Sequence, residues 1–214
     1  LRNAGNAQLP FLPRRVACRR QVGGGEDGHS SDLYVPLVDD VTFDVSYDKA
    51  QDIVIKALAP LGEDYVRIVQ RAFDERWIDV VENKGKRTGA YSSGAYDTNP
   101  FILLNWQDNL NNVYTLAHEL GHSVHSYLTR HTQPYHYGDY PIFLAEIAST
   151  TNESLLTDYL LKTNHDPKVQ AYVLNQYLDG FKGTVFRQTQ FAEFEDWIHQ
   201  QAAEGEALTA DKMS

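Results

Sequence analysis

Cysteine and methionine each occur once in this chain of 214 residues, as Cys18 and Met213. A lone cysteine excludes an internal disulfide framework. Together with that scarcity, a reducing compartment, and so a cytoplasmic location, is the expectation. Basic charge is also short: 19 Lys and Arg stand against 29 Asp and Glu, a formal net charge of -10. With no basic patch in the sequence, an electrostatic nucleic-acid binder is excluded. No apolar run approaches the roughly 18 residues of a membrane span. No charged-then-apolar leader opens the chain, and no internal repeat suggests a solenoid. What remains is 42% hydrophobic and 22% charged residues, the balance of a folded globular protein of one or two domains. The chain starts at Leu1 rather than Met and is expected to be part of something longer.

Residues 1–31, with LPFLPRR and GGGEDGHSS, have loop composition and no periodicity, so poor order is expected there. LYVPLV (33–38) and VTFDV (41–45) are short and rich in β-formers. Ser46 can cap a helix containing KAQDIVIKAL, which Gly62 breaks, and EDYVRIVQRAFDERWI (63–78) predicts a second amphipathic helix. KGKRTGAYSSGAYDTNP (84–100) reads as a hairpin or a mobile loop, and FILLNW (101–106) as a buried strand. Asp108 or Asn109 can cap the helix that follows. After a loop with Pro134, Gly138 and Pro141, residues 142–162 and most of 167–203 are helical in pattern. The fold class is therefore mainly α with a small β-sheet near the middle.

The chemistry is concentrated in HELGH, residues 118–122. With eight His and eleven Glu, an HExxH string arises by chance in roughly 1–2% of such chains, so its surroundings must decide. On an α-helix His118 and His122 lie about 40° apart and can share one ion, while Glu119, about 100° away, stands beside it as a proton acceptor. Val113, Leu116, Leu120, Val124 and Tyr127 fall on the opposite side. One face anchors in a core and the other presents imidazoles to an opening, as a cleft site requires.

A catalytic zinc has three protein ligands and one open position. Glu146, among the apolar Ile142, Phe143, Leu144, Ile147 and Ala148, is the best third ligand, since a carboxylate on a buried helix must be paired or metal-bound. Glu153, seven residues on, is positioned either to accept the Nδ1–H of a ligating histidine or to lie on a solvated helix face. His125 lies about 10 Å from His118 along the axis and reads as a hydrogen-bonded histidine on the cleft wall. His131, His165 and His199 are expected in solvent or loops; His136, in PYHYGDYP, is a candidate substrate contact.

AHELGHSVHSYL, YPIFLAEIASTTNESLL and FRQTQFAEFE, in this order, resemble the oligoendopeptidase F branch of the thimet oligopeptidase family of zinc metallopeptidases. KRTGAYSSGAY with PFILLNW resembles the glycine-rich segment and strand before that family's zinc helix, and DLYVPLV its entry into the catalytic region. The likeness runs over about 32–214. It implies a zincin-like catalytic core of a helical oligopeptidase, truncated at both ends, with residues 1–31 as an unrelated-looking segment. It implies one Zn²⁺, with ligands His118, His122 and Glu146, Glu119 as base, and short peptides as substrates. Gly89, Ala90, Tyr91, His136 and Tyr137 are candidates to meet the peptide. FILLNW either pairs with an extended peptide or is an ordinary core strand, and the Gly89–Gly94 loop either closes over substrate or is a plain turn. The family's later His and Tyr residues, which stabilise the intermediate, lie beyond this chain, so weak or no activity is expected of it alone. Three rivals stand beside the endopeptidase: a non-catalytic metal- or peptide-binding remnant, another zinc enzyme such as a carboxypeptidase, and a purely structural helical protein. Turnover separates the first, and end-labelled peptides the second. The third leaves the shared non-core face of His118, Glu119 and His122 without a reason.

Overall fold

Polar caps and buried apolar stripes set the helices. The computed structural model describes residue 38 and residues 43–213; residues 1–31 and most of LYVPLV lie outside these. Of the expected VTFDV strand, Phe43–Val45 is irregular, tied in by the Val45 N–H donating to the Asp108 carbonyl at 2.9 Å. The Ser46 side chain caps α1 (Tyr47–Leu58) by accepting from the Lys49 N–H. A 3₁₀ turn (Ala59–Leu61) leads to Gly62, whose φ of 94° ends the run and starts α2 (Glu63–Asp74).

Helix α2 stops four residues earlier than its periodicity suggests. Arg76 takes a left-handed φ of 55°, Trp77 is 1% exposed, and Ile78–Asp79 becomes strand β1. Burying the indole and pairing β1 outweigh one more helical turn. The glycine-rich segment contains β2 (Tyr91–Ser93), antiparallel to β3 (Phe101–Leu103), so the hairpin reading holds. The strand order is β1-β3-β2, with β1 parallel to β3.

Asn109, not Asp108, caps α3 (Leu110–Thr132), accepting from the Asn112 N–H at 2.9 Å. Val113, Leu116, Leu120 and Val124 are at most 1% exposed, the core face expected of the HELGH helix. They pack with Val54, Leu58, Val69, Trp77, Ile102 and Leu156.

Helix α4 (Ile142–Thr163) lies along α3 and is stitched to it. Tyr114 OH meets Thr157 Oγ1 at 2.8 Å, and Asn152 Nδ2 donates to the Ala117 carbonyl at 2.9 Å. As α3 numbers rise, α4 partners fall, so the helices are antiparallel. Asn152 is fully buried and also accepts from Tyr65 OH at 2.9 Å, which joins α2 to the pair. Burial pushes that phenol up to about 12. All of this belongs to the compact unit Val41–Val173. Helix α5 (Pro167–Phe181) continues past it into a second unit, whose described part from Leu174 onward holds a π-helical stretch (Lys182–Phe186), α6 (Arg187–Ala203) and the short α7 (Ala210–Met213).

Asn152→Ala removes a buried donor and acceptor at once and strands the Tyr65 hydroxyl. The expected cost is about 1–3 kcal/mol for each group left unpaired, read as a lower urea midpoint. An unchanged midpoint refutes the stitch.

Candidate metal centre

The polar face of α3 and the first turns of α4 converge on one point. His118 and His122 bring their Nε2 atoms to 3.0 Å. Glu146 Oε2 lies 3.3 Å from the first and 3.6 Å from the second. A tetrahedral ion with bonds of about 2.0–2.1 Å has ligand–ligand edges of roughly 3.3–3.4 Å, and these three distances bracket that value. The donor set, two imidazoles and a carboxylate, fits a divalent metal with one face left open.

Glu153 Oε1 lies 2.5 Å from His118 Nδ1. Donation from Nδ1–H fixes the tautomer and leaves the Nε2 lone pair toward the triad. Burial pulls His118 down, but the Glu153 hydrogen bond and the surrounding carboxylates win, leaving it above its ordinary value. His122 is held below its ordinary value by burial first and by the neighbouring His118 charge second.

Glu146 reaches the triad for a different reason from the one its sequence suggests. Ile142, Phe143 and Ile147 are 86%, 83% and 56% exposed, and the Glu146 side chain is 58% exposed. This turn of α4 is an open apolar face, not a buried one, so burial does not force the carboxylate to find a partner. Helix register places it instead. Gly121 lets α4 come close enough: a Cβ there would lie 2.6 Å from Ser149 Cα and 2.8 Å from the Ala148 carbonyl oxygen. Ser149 Oγ then donates to Glu146 Oε2 at 2.8 Å and holds its rotamer.

Glu119 is 6% exposed, and its Oε2 is buried without a hydrogen-bond partner. Burial raises its pKa, against the lowering effect of His118 and of a backbone hydrogen bond from Ser92. Ser92 belongs to β2, and its Oγ also meets Ser123 Oγ of α3 at 2.8 Å. The Ile102 and Leu104 N–H groups donate to β1 carbonyls or just beyond, at Trp77 and Asp79, so Phe101 and Leu103 turn to β2. Alternation then points the Ser92 amide outward, toward Glu119. Strand β3 has neighbours on both sides, so FILLNW is a central strand and offers no edge to a peptide; among the described residues the edge strands are β1 and β2.

The remaining candidates are spread out. Gly89, with φ of 87°, and Ala90 line a cavity of about 290 Å³ with Thr115, one turn before His118. Tyr91 is 46% exposed on β2. His136 and Tyr137 lie on the exposed 3₁₀ turn Tyr135–Tyr137 and pack on each other at 4.3 Å. His125 is not the hydrogen-bonded histidine expected: its Nδ1 is buried without a partner, and its ring stacks on Tyr140 at 3.8 Å. His131, His165 and His199 are exposed. Sequence reading missed Ser92 and Ser149. Ser149 was within reach, being three residues after Glu146 on one helix face. Ser92 was not, because only strand pairing brings it to Glu119.

Gly121→Ala should lower metal affinity at least tenfold while leaving helix content intact, since Ala favours a helix by about 1 kcal/mol over Gly. Glu153→Gln should lower affinity by about 10–100-fold through loss of the His118 tether. Titration with a competing chelator measures both; wild-type affinity in Gly121→Ala refutes the packing argument.

The Peptidase family M3 model matches residues 33–214. The chain is 57% identical to oligopeptidase PepF of Bacillus subtilis (strain 168) over 209 residues, 98% of this chain and 31% of that protein. An oligoendopeptidase F homolog of Lactococcus lactis subsp. lactis (strain IL1403) is 51% identical over 214 residues, 100% of this chain and 35% of its own length. The crystal structure of oligoendopeptidase-F from Enterococcus faecium superposes with a TM-score of 0.59 at 39% identity, covering 95% of this chain and 28% of that one. The chain thus spans about a third of the length of the curated relatives it matches. With the matched region covering nearly all of the described residues and the HELGH centre within it, the chain belongs to peptidase family M3.

Proposed function

We propose that this chain carries the metal- and proton-handling part of a zinc-dependent endopeptidase that hydrolyses internal bonds of short peptides. One observation carries the reading: an open triad of His118, His122 and Glu146 stands beside a buried carboxylate, Glu119, with a free oxygen. Two imidazoles, one carboxylate and no thiolate form the donor set of catalytic zinc sites. The names of the relatives supply the oligopeptide part of the proposal.

When bound, the ion supplies a Lewis acid that polarises a carbonyl and lowers the pKa of water toward about 7. The chain's own residues do the rest. His118 and His122 hold the ion, Glu146 completes the set, and Glu153 keeps the His118 ring turned the right way. Glu119 accepts a proton from the attacking water and passes it to the leaving amine. Its burial suits both halves of that task, because desolvation makes it a better proton acceptor than a solvated glutamate. The outward-facing Ser92 carbonyl of β2 can accept from an extended peptide, the Ser92 N–H being given to Glu119, with Tyr91 beside it. Gly89 and Ala90 lie at one end of that strand; His136 and Tyr137 remain candidate contacts on their loop. No helix among the described residues is long and apolar enough to cross a membrane. A cytoplasmic setting is proposed from the single cysteine.

In the full-length protein, Glu119→Gln should keep its zinc, by elemental analysis, and lose about 10²–10⁴-fold in kcat on an internally quenched peptide. Retention of more than about a tenth of wild-type kcat would assign the proton transfer elsewhere. His122→Ala should lose zinc and hydrolysis together; unchanged zinc overturns the ligand set.

A further inference from the structure

Helix α3 carries a cation toward the far end of β2. Arg130 lies eight residues beyond His122, roughly 12 Å along the axis at about 1.5 Å per residue. Its side chain is 12% exposed, and Nη1 is buried without an acceptor. Nη2 faces Asp139 Oδ1 at 3.4 Å, longer than the about 2.7–2.9 Å of a charge-assisted hydrogen bond. That Asp139 side chain is 94% exposed. A guanidinium so buried and so loosely paired is costly to keep unless something else takes it up.

The guanidinium borders a cavity of about 420 Å³ that includes Gly94, Tyr96, Tyr135 and Asp139. Two glycines let the walls pack closely around it. A Cβ on Gly94, the residue after β2, would lie 2.8 Å from Arg130 Nη1. A Cβ on Gly138 would lie 2.6 Å from Tyr96 Cδ2. Tyr96 OH donates to the Gln133 carbonyl at 2.7 Å, which fixes that wall. Tyr135, 78% exposed, meets Tyr96 edge-on and forms the rim.

The geometry points to a subsite for a carboxylate of the bound peptide: Arg130 takes that carboxylate, and the solvated Asp139 fills its place in the free protein. The proposal rests on the peptidase reading above. A peptide extended along β2 advances about 3.3 Å per residue, so the carboxylate sits roughly three to four residues from the bond cut. The C-terminus and an Asp or Glu side chain are both sources of that group. Exposed Asp139 leaves at little cost, whereas an incoming carboxylate held by the peptide backbone can approach Nη2 to the shorter distance of a charge-assisted hydrogen bond.

The test is binding of fluorescein-labelled peptides of about eight residues to the zinc-loaded full chain, by anisotropy. One pair differs only in a C-terminal carboxylate or amide. A second pair, both amides, differs in Glu or Gln at the third or fourth position from the scissile bond. A preference of about tenfold for the charged member is expected in one pair, and which pair shows it names the source. Arg130→Gln should abolish the preference, Arg130→Lys should keep part of it, and Asp139→Asn should tighten the charged peptide, all at wild-type zinc content. Equal binding within both pairs overturns the subsite alone. So does a preference that survives in Arg130→Gln. If no peptide binds the zinc-loaded chain, the subsite falls, while zinc content and turnover of the full-length protein with Glu119→Gln decide the peptidase reading separately.

Discussion

The close crossing of α3 and α4 at Gly121 is the constraint on which the centre depends. Two helices normally pack about 8–10 Å apart, with side chains between them. Here the missing Cβ lets the Ser149 backbone press against Gly121. Every polar contact between the helices follows from that approach and from the antiparallel register. Thr157 meets Tyr114, Glu153 meets His118, and Glu146 meets the pair His118 and His122. Each step down α3 is one step up α4. A shift of one residue would turn both glutamates off the imidazoles by about 100°.

A second contact joins the sheet to the helix. The Ser92 backbone hydrogen bond to Glu119, with the Ser92–Ser123 hydroxyl pair, locks the β2 edge over the HELGH helix. The strand proposed to align a peptide is thus the strand that orients Glu119, the proposed base. Movement of either would displace both, and misplacement by about 1 Å costs of order 10²-fold in rate. The sheet is small, but a three-stranded order with β3 in the centre anchors it through buried Ile102.

Much of this was legible in the sequence where a single helix decides the outcome. The core stripe of α3 and the shared face of His118 and His122 follow from helical spacing alone, and the cap Ser46 from its residue type, while the cap of α3 was legible only as Asp108 or Asn109. Glu153 beside His118 was legible only as one of two alternatives, because its partner lies on another helix. Glu146 was found for an unsound reason: its apolar neighbours suggested burial, but α4 begins as an exposed apolar face. Hydrophobicity in a sequence marks surface that can be covered, not surface that is covered within these residues. The short strands were hardest. Ile78 left its helix for a strand, and FILLNW took the centre of the sheet rather than its edge, since strand neighbours are set by long-range pairing.

Three glutamates within one small region show how environment divides labour among identical side chains. Glu119 is buried, keeps an unpartnered oxygen, and titrates above its ordinary range because desolvation penalises its charge. A group that must take up and release a proton needs that poise. Glu146 is 58% exposed and receives the Ser149 hydroxyl, which holds its Oε2 toward the two imidazoles. Glu153 faces His118 Nδ1 and acts through the ring rather than on anything the ring binds. The spacing of HELGH brings two histidines to one place, and the different burial of the three carboxylates around it is what the proposed division into ligand, base and tether rests on.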